Sequence, residues 1–76
     1  MDPIRMLSNE LKAMEIKVGV VQGMGGEREE PHLISEDCWR GAITVMGFGG
    51  KRIKHIIQLR KNEEGRLVTE RWTELV

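Results

Sequence analysis

Lys51-Arg52-Ile53-Lys54-His55-Ile56-Ile57-Gln58-Leu59-Arg60-Lys61 is the stretch on which the fold turns. Read with a period of two, it places Ile53, Ile57 and Leu59 on one side of a strand. Read with a period of 3.6, it places Ile53, Ile56, Ile57 and Arg60 on one stripe of a helix. The second reading makes Ser35 an N-cap and turns residues 36–46 and 51–61 into helices on either side of a glycine loop. The Ile56-Ile57 pair, Thr44, Val45 and Gly41 are poor helix formers, and the β-branched residues among them suit a pleated sheet. The strand reading is therefore preferred.

Working outward, Arg40–Met46 reads as the preceding strand, with Ala42, Thr44 and Met46 on one face and Ile43 and Val45 on the other. Gly47–Gly50 is the connecting turn. Downstream, Asn62-Glu63-Glu64-Gly65 reads as a second hairpin turn and Arg66–Trp72 as the last strand. At the other end of the chain, Asp2 can cap a helix and Pro3 suits its first position. Ile4, Leu7, Leu11 and Met14 then recur at spacings of three and four. The alternation of Ile16, Val18 and Val20 predicts a strand over residues 15–22. From Gly23 through Ser35, glycines, charges and Pro31 predict a long loop, pinned at its far end by Leu33 and Ile34. The fold class expected is α+β, an N-terminal helix followed by a small antiparallel sheet of four to five strands, curled into a partly open barrel.

The chain has 76 residues, 39% of them hydrophobic and 32% charged, with 12 basic and 12 acidic residues and no net charge. That length suits one small domain, residues 1–76, and excludes a multidomain enzyme. A domain of this size buries only roughly 60–65% of its unfolded surface, so a partner or self-association is expected to assist it. The lone Cys38 can make no intrachain disulfide and fits a thiol in a reducing cytoplasm. Met1–Met14 has no apolar core of a signal peptide, and the longest uncharged stretch, Gly41–Gly50, is about half a membrane span. The expected setting is cytoplasmic, with no membrane partner.

The zero net charge conceals an asymmetry. Residues 1–38 hold four basic and eight acidic side chains, whereas residues 39–76 hold eight basic and four acidic. Residues 38–62 contain Arg40, Lys51, Arg52, Lys54, Arg60 and Lys61 and no acid at all. Immediately before them, Glu27, Glu29, Glu30, Glu36 and Asp37 stand against Arg28 alone. An acidic block placed against the basic one would act in cis as a flap, or in trans between copies.

Within the basic block, Gly47, Phe48, Gly49 and Gly50 make a loop that admits positive φ and close approach of a phosphate. Phe48 supplies a ring for base stacking, and Lys51 and Arg52 follow at once. The segment Val45-Met46-Gly47-Phe48-Gly49-Gly50-Lys51-Arg52-Ile53-Lys54-His55-Ile56 resembles the signature of the KH domain, a module that binds RNA or single-stranded DNA. An apolar pair there precedes a Gly-x-x-Gly loop, followed by Ile, Lys and another apolar residue. The resemblance covers about 12 of the 76 residues, and the chain carries Phe48 where the family's loop usually has a basic residue. It implies that Gly47–Gly50 clamps a nucleic-acid backbone while Lys51 and Arg52 contact phosphates. It also implies a KH-like βααβ arrangement with a helix over 51–61.

Other chemistries fail on spacing. Arg52 follows Gly50-Lys51 where a Walker loop needs Ser or Thr, and the two dinucleotide-type glycine runs carry Arg28 and Arg52 where a third glycine belongs. The Glu27–Glu30 run lacks the calcium-loop pattern, and no Cys/His set has zinc spacing, so neither metal nor cofactor is expected. Cys38, His32 and His55 assemble no nucleophile, base and oxyanion donor, and no enzyme is expected. Two functions remain. The first is a nucleic-acid-binding module using Arg40, Lys51, Arg52, Lys54, Arg60 and Lys61 with Phe48 stacking. The alternative is a protein-interaction or regulatory adaptor, working as a homo-oligomer through its charge-split surface.

Overall fold

A computed structural model describes residues 2–18, 27–46 and 48–76 of the chain. The helix α1 spans Pro3–Val18 and is followed by four strands, β1 (Glu27–Ser35), β2 (Cys38–Met46), β3 (Arg52–Lys61) and β4 (Leu67–Leu75). They form one open antiparallel sheet in the order β1-β2-β3-β4, an α+β architecture. No helix among the described residues is long and apolar enough to cross a membrane.

The capping read from the sequence is in place. The Ile4 amide donates to Asp2 Oδ1 at 3.0 Å and the Met6 amide to the Asp2 carbonyl at 3.0 Å, with Pro3 at the first helical position. Leu7 and Leu11 are fully buried and pack with Ile43, Ile57 and Leu59, while Met6, Met14, Val18 and Trp39 close the margin of this core. Each of the two leucines contributes about 1.5–3 kcal/mol by leaving water. The helix also comes close to the sheet. At Gly41 an added Cβ would stand 2.8 Å from Leu11 Cδ1, so any larger residue would require the end of that buried leucine to shift.

Residues 15–18 are helical, against the strand expected there. The apolar stripe through Leu7, Leu11 and Met14 continues to half-buried Val18, and Ile16 points to solvent at 83% exposure. The alternation of Ile16 and Val18 is incidental to the helical period. Val20 and the rest of that expected strand lie outside the described residues.

The long loop expected over 23–35 is a second departure, because residues 27–35 form β1. This is an edge strand, where Pro31 needs no ladder partner and charges guard the exposed side. Its register with β2 shifts between Glu29 and His32 and again between Leu33 and Ser35. Glu36 and Asp37 make the tight turn into β2, with Asp37 at φ 57°.

The segment 51–61, on which the fold turned, is strand from Arg52 onward, paired without interruption to β2 and to β4. The helix required by the KH-like βααβ arrangement is absent, and β2 likewise stands where that reading put its first helix. Ile57 and Leu59 pack beneath α1, and half-buried Ile53 shares their face in strand register. Gly49 and Gly50, at φ 75° and 77°, turn β2 into β3. Between β3 and β4, Asn62 Oδ1 accepts from the Glu64 and Arg66 amides, both at 2.9 Å, and Gly65 adopts φ 81°. The sheet lies open from β1 to β4 rather than closing toward a barrel.

Candidate functional site

Among the described residues the helix covers one face of the sheet, over β1, β2 and β3, and nothing covers the other. The register places Arg40, Gln58 and Glu70 in one row across β2, β3 and β4, and Ala42, Ile56 and Trp72 in the next. Further along, Thr44, Lys54 and Glu74 form a third row. Ala42 and Ile56 are almost completely buried on this side as well. The uncovered face therefore has an apolar floor beneath a layer of long polar side chains.

That layer is a connected network. Arg40 donates from Nε and Nη2 to Gln58 Oε1 at 3.1 and 2.7 Å, and Gln58 Nε2 donates onward to Glu70 Oε1 at 3.1 Å. Arg60 Nε approaches the same Glu70 oxygen at 3.3 Å. The hydrogen bond from Gln58, and then that from Arg60, hold the Glu70 carboxyl below its ordinary range. Arg40 also lies over Trp72, 5.4 Å from the ring centroid, in a cation–π contact. Its charge is met by an amide oxygen and a ring, with no carboxylate in direct contact among the described residues.

Toward the other end of the face, β1 supplies acids to β3 across β2. Glu27 Oε1 lies 2.6 Å from Arg52 Nη2, and Glu29 Oε1 lies 3.4 Å from Lys54 Nζ. β1 and β3 are not neighbours: by register the Glu29–Lys54 bridge crosses β2 between Ala42 and Thr44, and the Glu27–Arg52 bridge crosses it between Thr44 and Met46. The pairing also explains why Thr44 is only 7% exposed. The acidic block does lie against the basic one, as a strand of the same sheet rather than a separate flap.

The ten residues singled out for nucleic acid are therefore dispersed in role. Arg40, Arg52, Lys54 and Arg60 share the uncovered face, each held by an internal partner. Lys51 is exposed beside Gly49 and Gly50, and Lys61 is exposed at the far end of β3 with the parity of the helix-covered face. Neither lysine makes an ion pair among the described residues. Gly47 and the side chain of Phe48 lie outside the described residues. Sequence reading missed Gln58 and Glu70 as members of the network. Their signal was the two-residue parity that aligns them with Arg40, visible only once the register is known.

Cys38 is buried, and His32 is exposed with Nδ1 2.8 Å from the Glu30 carbonyl oxygen. Among the described residues no group of three or more His, Cys, Asp or Glu could hold a metal ion. No family model matches the chain, and no curated protein or solved structure matches it either.

Proposed function

We propose that this chain is a small non-enzymatic protein-interaction module, of the adaptor or regulatory kind, that meets a protein partner through the uncovered face of its sheet. The observation that carries the reading is the internal pairing of the cations on that face. Arg52 and Lys54 are neutralised by Glu27 and Glu29, and Arg60 by Glu70. A nucleic-acid interface gains its affinity from cations free to displace counterions, and a carboxylate at three of the four cations on this face opposes that exchange. What the face offers is Trp72 and Arg40 over an apolar floor with a charged rim, the composition of protein-contact hot spots. A cytoplasmic setting accords with the lone buried thiol of Cys38.

Nucleic-acid binding is the second reading, favoured by one observation. Lys51 is exposed and stands next to Gly49 and Gly50, whose surroundings are open. A photo-activated cross-linker placed at Gln58, used in cells that express the chain, separates the two. The interaction reading expects a cross-linked polypeptide whose yield falls severalfold when Arg40→Glu breaks the face. Cross-linked nucleic acid, or a polypeptide yield indifferent to Arg40→Glu, would contradict it.

A further inference from the structure

The two edges of the sheet are not alike. β1 is guarded by Pro31, two shifts of register and alternating charges. β4 has no proline and pairs with β3 in unbroken register from Leu67 to Leu75. Among the described residues no strand pairs with its outer side, an uninterrupted row of backbone donors and acceptors.

Which residues make up that row follows from parity. The Asn62 amide donates to the Arg66 carbonyl at 2.8 Å, and the Val76 amide donates to the Arg52 carbonyl at 3.0 Å. Both β4-side residues carry even numbers. Because antiparallel bonding alternates along a strand, the even residues of β4 are engaged with β3. The odd ones, Leu67, Thr69, Arg71, Thr73 and Leu75, direct their N–H and C=O groups outward.

We infer that a second copy of this chain pairs with β4 through its own β4, antiparallel about a two-fold axis at Arg71, to give a continuous eight-stranded sheet. The inference rests on the interaction-module reading but uses a different surface from the uncovered face. A second copy fits because the strand is self-complementary in this register. Leu67 meets Leu75 of the other copy at both ends, covering a Leu75 that is 77% exposed in the single chain. Thr69 meets Thr73 on either side of the axis, a favourable cross-strand pair. The five outward residues of each copy exchange about ten backbone hydrogen bonds.

The like-charge meeting at the axis, Arg71 with Arg71, is compensated. Arg71 Nη2 is already 2.6 Å from Glu10 Oε2 of α1, and Arg71 sits at the wider, hydrogen-bonded type of position. Sliding the pairing one step either way keeps the faces matched but loses this fit. One slide sets Glu70 against Glu70 and Leu75 against the turn residue Gly65. The other sets Glu70 against Glu74 twice. Beside β4, an open cavity of about 320 Å³ is lined by Glu10, Ala13, Met14, Lys17 and Arg71. The added strand closes its open side and brings a second guanidinium toward Glu10.

Amide hydrogen exchange at rising protein concentration, with mass by light scattering, tests the pairing. The expected mass rises to twice the 8.7 kDa of the chain. Over the same range the amides of Thr69, Arg71 and Thr73 become as protected as those of Glu70, Trp72 and Glu74. Thr73→Pro removes an outward N–H that β3 does not use, so it should hold the chain monomeric with an unchanged strand spectrum. If that variant unfolds, the exchange pattern of the unsubstituted chain decides alone. Odd-numbered amides that exchange freely at every concentration would overturn the pairing, whatever the mass. A chain with that result whose Gln58 cross-link still reports a protein keeps the interaction reading and loses only the β4 pairing.

Discussion

Gly41 carries the closest contact between helix and sheet. It is buried, and a Cβ there would meet the fully buried Leu11 at 2.8 Å. Overpacking of that kind costs about 1–3 kcal/mol, so Gly41→Ala should lower the urea midpoint accordingly. An unchanged midpoint would show that Leu11 can move aside. At the opposite face, Glu70 is a residue whose protonation state is tied to its hydrogen bonds. Gln58 and Arg60 hold its pKa below the unfolded value, so its stabilisation is present above the ordinary glutamate pKa of about 4.3. That stabilisation is lost as pH falls through the folded pKa. Glu70→Gln should therefore flatten the acid limb of a stability-versus-pH curve, and an acid limb of unchanged slope would argue against the network. Neither residue could be ranked from the sequence, since Gly41 counted only as a poor helix former and nothing in the local pattern sets Glu70 apart from the other acids.

Among the elements, β3 was legible because both of its edges are paired and its residues are β-branched and aliphatic. The turns on either side were legible for a related reason, since Gly49, Gly50 and Gly65 adopt positive φ and Asn62 bonds its own turn. β1 was not legible. Its charges and Pro31 describe a loop unless the strand is known to be an edge, and position in a sheet is a tertiary fact. The end of α1 was misread because Val18 satisfies an alternating and a helical period at once, and only burial distinguishes them. The helix is held chiefly by two side chains. Leu11→Ala should cost about 2–5 kcal/mol, and a urea titration followed by far-ultraviolet circular dichroism would report it. A loss below about 0.5 kcal/mol, within the range of ordinary surface substitutions, would mean the helix docks by other contacts.

For the whole molecule, the informative quantity is where its charges meet. Zero net charge follows from composition, and the segmental split into acidic and basic halves was readable along the chain. That Glu27 reaches Arg52 and Glu29 reaches Lys54 was not readable, because the bridges depend on β1 lying two strands from β3 and on the register that sets Glu27 and Glu29 opposite Thr44 and Ala42. Releasing those cations should create the electrostatic binder that the composition of residues 38–62 suggests. The Glu27→Gln/Glu29→Gln pair is expected to raise affinity for a single-stranded oligonucleotide at least tenfold at low salt, with a steeper salt dependence. The most direct test of the account is fluorescence anisotropy of a labelled single-stranded oligonucleotide against the unsubstituted chain across a salt series. Binding that stays weak at low salt and strengthens only in the double variant is the predicted result, whereas tight, steeply salt-dependent binding by the unsubstituted chain would contradict it.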